Sequence, residues 1–288
     1  MNDILKKAME RTEREGGKKP PEDNPAAMPT DNQPVKAEKN EVKNQAIFNR
    51  GIFAGSPGAN KKNQGKARTK KTPHSLQSLN EYKIIYDCRI HPASDKVKIL
   101  RTQMLQRLHE IGGKSVLITS PRPGEGKTVN AINVAISIAQ EVDRTVILID
   151  ANLRKPAVHK YFGLEDGLGL ADYLLGKASI EEILINPGID KLTIMPGGHP
   201  LATSSEMLGA ARMSDLVKEM KGRYADRILV FDGPDILTNA DSQVFARLVD
   251  GIVMVVEAEK TARTDVLQAM ELIGDTPLIG TIFNKSHE

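Results

Sequence analysis

The sequence predicts an α/β fold with a mostly parallel central sheet and helices on both faces, carried by residues 81–288 and preceded by a disordered N-terminal tail over 1–80. Three observations predict it. From residue 115 onward, short apolar runs recur without polar alternation, as in strands covered on both faces. Helix-like segments separate these runs, and such alternation implies right-handed crossovers between parallel strands. Hydrophobic residues make up 40% of the chain but aromatics only 4%, so the core must be built from Ile, Leu, Val, Ala and Met.

The tail comes first. Residues 16–34 carry five prolines and few apolar side chains, and 49–71 are rich in Gly, Asn and Lys. Such composition buries too little apolar surface to offset the entropy of ordering. A short amphipathic helix is expected near 3–15, with Ile4, Leu5, Ala8 and Met9 on one stripe, too short to be stable alone. Residues 1–80 hold 16 Lys and Arg against 9 Asp and Glu, the rest 24 against 28. The tail is therefore basic and the body mildly acidic. A solvated linker explains such a tail, and acidic lipid head groups are an open alternative. Only two aromatics, Phe48 and Phe53, stand among its cations, which argues against a specific nucleic-acid arm.

The body begins with a strand at Ser115–Thr119, a helix over 128–142 and a strand over 145–149. Further strands are expected over 192–195, 227–231, 251–256 and 278–283, with short helices over 170–175, 180–184, 205–208 and 213–224. The first strand runs into Ser120-Pro121-Arg122-Pro123-Gly124-Glu125-Gly126-Lys127-Thr128. A glycine-rich turn from a strand into a helix lets successive backbone N–H groups surround a phosphate. Gly124 and Gly126 allow close approach, Lys127 reaches the β- and γ-phosphates, and Thr128 is placed to bind Mg²⁺. Pro123 to Val129 are thus the expected nucleotide contacts, and ATP with Mg²⁺ the expected ligands. The second strand ends in Asp150 and the 227–231 strand in Asp232, where α/β sheets bind ligands. Asp150 is equally placed to cap the following helix. Beside the phosphate loop, both acids are candidate Mg²⁺ ligands and, with Lys127, candidate catalytic groups.

Other features exclude functions. One cysteine, Cys88, cannot form an internal disulfide, which fits a reducing compartment. The N-terminus lacks a signal-like apolar core, and no apolar run approaches the ~20 residues that span a bilayer. The expected location is cytoplasmic, with any membrane association through a partner or a surface. The six histidines show no metal-ligand spacing.

Taken together, residues 95–285 resemble the bacterial tyrosine kinases of the capsular and exopolysaccharide type, P-loop proteins related to the MinD and ParA group. The family's phosphate loop often reads Thr-Ser-x-x-Pro-Gly-Glu-Gly-Lys-Thr, as Thr119 to Thr128 do here. Its Asp-x-Asp-x-Arg motif maps onto Asp150, Asn152 and Arg154. Its Asp-x-Pro-Pro motif maps onto Asp232, Pro234 and Asp235. A self-association motif, Glu-x-x-Arg-x-x-Arg on the helix before the first strand, maps onto Asp95, Lys98 and Arg101. Asn284 falls where the family contacts the adenine base, and Arg122 where partition ATPases carry a lysine that reaches across a dimer. The resemblance implies a homo-oligomer and a membrane-embedded chain-length (co-polymerase) partner.

Departures keep three functions open. Asn152 brings no charge, Asp235 replaces a proline, and residues 284–288 contain no tyrosine, where these kinases usually carry an acceptor cluster. Tyr82 and Tyr86 are the remaining candidate acceptors. The first function is phosphoryl transfer from Mg-ATP to tyrosine, regulating exopolysaccharide export. The second is a MinD/ParA-like ATPase switch. The third is a non-catalytic ATP-binding regulator of polysaccharide assembly.

Overall fold

A computed structural model of the chain describes residues 93–286, with Lys70–Lys71 and Ile84–Ile85. The expected helix near 3–15, most of the basic tail, Tyr82, Tyr86 and Cys88 lie outside the described residues. In chain order the elements are β1 (Lys70–Lys71), α1 (Ser94–Glu110), β2 (Ser115–Thr119), α2 (Lys127–Ala139), β3 (Thr145–Asp150), α3 (Val158–Tyr161), α4 (Leu170–Leu174), α5 (Ile180–Ile183), β4 (Ile185–Asn186) and β5 (Leu192–Met195). They continue with α6 (Ser204–Leu208), α7 (Ala211–Arg223), β6 (Arg227–Asp232), α8 (Asp241–Ala246), β7 (Gly251–Glu257), α9 (Arg263–Ile273) and β8 (Leu278–Asn284).

The strands form one sheet in the order β1-β4-β5-β3-β6-β2-β7-β8. Every neighbouring pair is parallel except β4 with β5. The α/β fold with a mostly parallel sheet is thus present. Lys70–Lys71, inside the segment read as disordered, pairs in parallel with Ile185–Asn186. Backbone pairing at a sheet edge needs no apolar side chains, so composition alone does not reveal it.

Two apolar layers explain why the strands read as unbroken hydrophobic runs. Val116, Ile118, Val146, Leu148, Ile228 and Val230 face α1 and α2, joined by Met104, Leu108, Ile132 and Ile136. Leu117, Ile147, Ile149, Leu229 and Phe231 face the opposite helices, joined by Leu216 of α7, Phe245 of α8 and Ala269 of α9. Successive strand residues alternate between the layers, so a polar residue on either face would be buried. Phe231 and Phe245 meet edge to face at 4.9 Å, worth about 1 kcal/mol beyond burial.

α2 opens directly after Gly126 and is buried along most of its length, consistent with its apolar sequence Ala131 to Ala139. It ends at Ala139, three residues before the expected limit, and Val142 is exposed. α8 and α9 are absent from the sequence reading. For α9 a signal exists: Val266, Ala269 and Ile273 recur at helical spacing and turn inward.

Candidate functional site

Strand order creates the site. β3, β6 and β2 are consecutive, Asp150 lies directly opposite Asp232, and Asp232 lies opposite Ile118. The Ala151 N–H donates to the Asp232 carbonyl at 2.9 Å, locking the two strand ends together. The loop leaving β2 therefore starts beside the strand that ends in Asp232 and two strands from the one that ends in Asp150, at the carboxyl end of the sheet.

In that loop Gly124 and Gly126 adopt φ of +84° and +97°, which favour glycine. A Cβ on Gly126 would sit 2.1 Å from Asn284 Nδ2. Among the described residues, no acceptor takes the N–H groups of Gly124, Gly126, Lys127 or Thr128. Unpaired, converging N–H groups at a helix N-terminus suit an anion. Pro123 and Gly124 are exposed, Thr128 and Val129 half-buried, and Lys127 buried. Lys127 is near enough to Asp150 and Asp232 for its charge to lower the pKa of both.

The two acids differ in their partners. Asp150 Oδ1 accepts the Asn152 N–H at 3.1 Å, and Oδ2 accepts the N–H groups of Ala157 (2.8 Å) and Val158 (3.0 Å). Asp150 therefore holds the start of α3, as its capping alternative anticipates. Burial raises its carboxyl above the ordinary value against those bonds. Asp232 is also buried, yet among the described residues neither carboxylate oxygen has a hydrogen-bond partner. Burial, then the Asp150 charge, push its carboxyl up, while the nearby Thr128 hydroxyl and Lys127 act in the opposite direction. An orphaned buried carboxylate beside a hydroxyl and a second carboxylate is a set of hard oxygen donors, and it fits Mg²⁺.

The remaining candidates are placed as follows. The Asn152 carbonyl accepts the Lys155 N–H, which makes a turn after β3. Arg154 reaches Asp241 with Nε at 3.1 Å and Nη2 at 3.3 Å. Asp241 also takes the hydroxyls of Ser204 and Ser205. Burial favours its neutral form, but these donors outweigh that and hold its carboxyl below the ordinary range. Asp241, which no motif disclosed, is the residue that holds Arg154 in place. Arg122 is exposed and forms a two-point pair with Asp265 of α9, with Nη2 to Oδ1 at 2.9 Å. Asn284 Nδ2 donates to the Glu125 carbonyl at 2.8 Å.

The expected self-association trio divides. Asp95 and Lys98 pair with each other on the exposed face of α1 at 3.0 Å. Arg101 instead turns inward, donating to the Ser137 carbonyl at 3.0 Å and pairing with Glu141 at 2.8 Å. A guanidinium at the carboxyl end of α2 satisfies carbonyls there and complements the helix dipole. None of the described helices is long and apolar enough to cross a membrane.

No protein-family model matches the chain. Over 193 residues the sequence is 35% identical to the tyrosine-protein kinase YwqD of Bacillus subtilis, covering 66% of this chain and 80% of that protein. The structure resembles the kinase domain of the Escherichia coli tyrosine kinase ETK with a TM-score of 0.65 and 26% identity, covering 77% of this chain and 84% of that one. It also resembles the Pyrococcus horikoshii septum site-determining protein MinD complexed with Mg-ADP. There the TM-score is 0.50 at 23% identity, over 60% of this chain and 72% of that one, a likeness of fold.

Proposed function

The chain belongs to the bacterial tyrosine-protein kinases, and from that premise we propose that it binds Mg-ATP on the 123–129 loop and transfers the γ-phosphoryl group to tyrosine. The observation that carries this reading is the meeting of three strand ends. Asp150 and Asp232 are register partners, and the open N–H groups of the loop follow the strand next to that of Asp232. In this reading the loop N–H groups bind the β-phosphate and Lys127 draws charge from the γ-phosphoryl oxygens. Thr128 and Asp232 would hold Mg²⁺, which would supply positive charge against the phosphates. Asp150, kept rigid by three backbone N–H groups, orients the incoming tyrosine hydroxyl and accepts its proton. Asn152 and Arg154 line the same edge, and Asn284 faces the base. The acceptor is a tyrosine of a partner or of this chain, and the setting is exopolysaccharide or capsule export beside a membrane-embedded co-polymerase. Asp95 and Lys98 remain available for self-association.

A second reading, nucleotide hydrolysis or binding without transfer, is favoured by the uncharged Asn152. One experiment separates them. Purified protein is incubated with Mg²⁺ and γ-labelled ATP, and phosphotyrosine is mapped by mass spectrometry. Phosphotyrosine that disappears in Lys127→Met is the expected result. Phosphate release with no phosphotyrosine would sink the kinase reading in favour of the switch.

A further inference from the structure

A carboxylate is an unexpected neighbour for a triphosphate. Glu125 lies within the phosphate loop, two residues before Lys127, and its side chain is buried. An unpaired anion there would repel the ligand, so its bonds decide what it does. Oε2 accepts the N–H of Arg122, at the entry to the loop, at 3.1 Å. Oε1 accepts the hydroxyl of Thr261, which lies outside the loop in the turn between β7 and α9.

That hydroxyl has little freedom. Its oxygen accepts the Glu257 N–H at 3.1 Å, and the Thr261 N–H donates to the Glu257 carbonyl at 3.1 Å. The residue after β8 grips the loop at a second point. Lys285, in the left-handed region at φ +60°, donates Nζ to the Gly124 carbonyl at 2.8 Å and pairs with Glu257 at 3.1 Å. Glu125, Thr261, Glu257, Lys285 and Gly124 thus form a closed ring of contacts around one side of the loop. The ring uses a side-chain acceptor for Arg122 N–H but takes none of the N–H groups from Gly124 to Thr128.

We propose that Thr261 is a positioning residue of the nucleotide site. Its hydroxyl fixes the Glu125 carboxylate, and Glu125 draws the Arg122 N–H inward, so the loop is shaped for phosphate before any ligand arrives. The inference rests on reading the 123–129 loop as the nucleotide site. Without the hydroxyl, Glu125 loses one of its two donors and the loop samples other conformations. Ordering it then weakens binding in proportion to the lost competent fraction. The chemical step, which follows binding, is little changed.

The test is calorimetric titration of the full chain with Mg-ADP and Mg-ATP, alongside phosphotyrosine formation at saturating ATP. Thr261→Val removes the hydroxyl at nearly constant shape and is expected to weaken binding about tenfold, the loss of one charge-assisted hydrogen bond. Its maximal rate stays within about twofold. Thr261→Ser keeps the hydroxyl and binds as wild type. The inference is overturned if Thr261→Val binds as tightly as wild type, or if Thr261→Ser is as weak as Thr261→Val. Should Thr261→Val lose its fold, Glu125→Gln decides. It removes the charge and puts an NH2 in place of one of the two acceptor oxygens, so weaker binding is expected and undiminished affinity refutes the proposal. If wild type itself binds no Mg-nucleotide, the nucleotide-site reading fails and the inference falls with it.

Discussion

Replacing Asp232 by Asn is expected to stabilise the nucleotide-free protein while removing its response to Mg-nucleotide. Asp232 is buried with both oxygens unpartnered, and burial together with the Asp150 charge moves its carboxyl from 3.8 up to about 8. Between those values the folded protein holds a proton that the unfolded chain has released. Folding then takes up a proton, so stability falls as pH rises from about 4 and levels off above about 8. At pH 7 the cost approaches about 4 kcal/mol, at 1.36 kcal/mol per pH unit. Asn has the shape of the protonated acid and leaves similar atoms unpartnered, so the ionisation cost is what the substitution removes. Part of it returns through relaxation around Asp150, leaving a gain of roughly 2–4 kcal/mol, or several degrees in Tm. The assay is thermal and urea unfolding of both proteins in EDTA at pH 5, 6, 7 and 8, repeated with Mg-ADP. The wild type should lose stability across that range and Asp232→Asn should lose much less. Mg-ADP should stabilise the wild type and not the variant. A variant less stable than wild type at pH 8 in EDTA, or a flat wild-type profile, would refute the reasoning.

Two further outcomes follow from the geometry. Gly126→Ala places a Cβ 2.1 Å from Asn284 Nδ2 at φ +97°. It should cost at least about 1 kcal/mol in urea unfolding and abolish Mg-ADP binding measured by calorimetry. Asp250 works at the other end of β2. Burial favours its neutral form, but Lys221, the Lys114 N–H and Ser115 outweigh burial and lower its carboxyl. Its stabilisation is therefore present above the ordinary carboxylate range and lost as pH falls through its lowered value. Asp250→Asn should cost about 1–3 kcal/mol near pH 7 by urea unfolding. The gap from wild type should close in strong acid.

The phosphate loop was legible because its chemistry is contiguous: Gly124, Gly126, Lys127 and Thr128 stand together after an apolar strand. Asp150 and Asp232 were legible as strand-end acids, but not as register partners. That adjacency comes from the strand order β3-β6-β2, which no local pattern encodes. Thr261, Asp265 and Lys285 reach the loop from 136 to 161 residues away, and their own surroundings look like an ordinary turn and helix. Arg101 shows the converse. The resemblance put it in a self-association motif, and the packing of α1 on α2 brings it to the Ser137 carbonyl. Residue type and spacing reveal what a side chain can do; tertiary contact selects which of those things it does.

The acids around the loop show that selection most clearly, and it bears on which variants test catalysis cleanly. Asp150 has three backbone donors, so Asp150→Ala removes the support at the start of α3 as well as a candidate proton acceptor. A loss of activity there would mix both causes. Glu125 has one backbone and one hydroxyl donor, which suits a brace. Asp232 has none among the described residues, which suits a partner supplied from outside the chain, such as the proposed Mg²⁺. Lys127 donates no hydrogen bond among the described contacts that hold the loop to β7, α9 or β8. Lys127→Met should therefore lose phosphotransfer with little change in Tm, and a large drop in Tm would mean that the lysine is structural rather than a phosphate ligand.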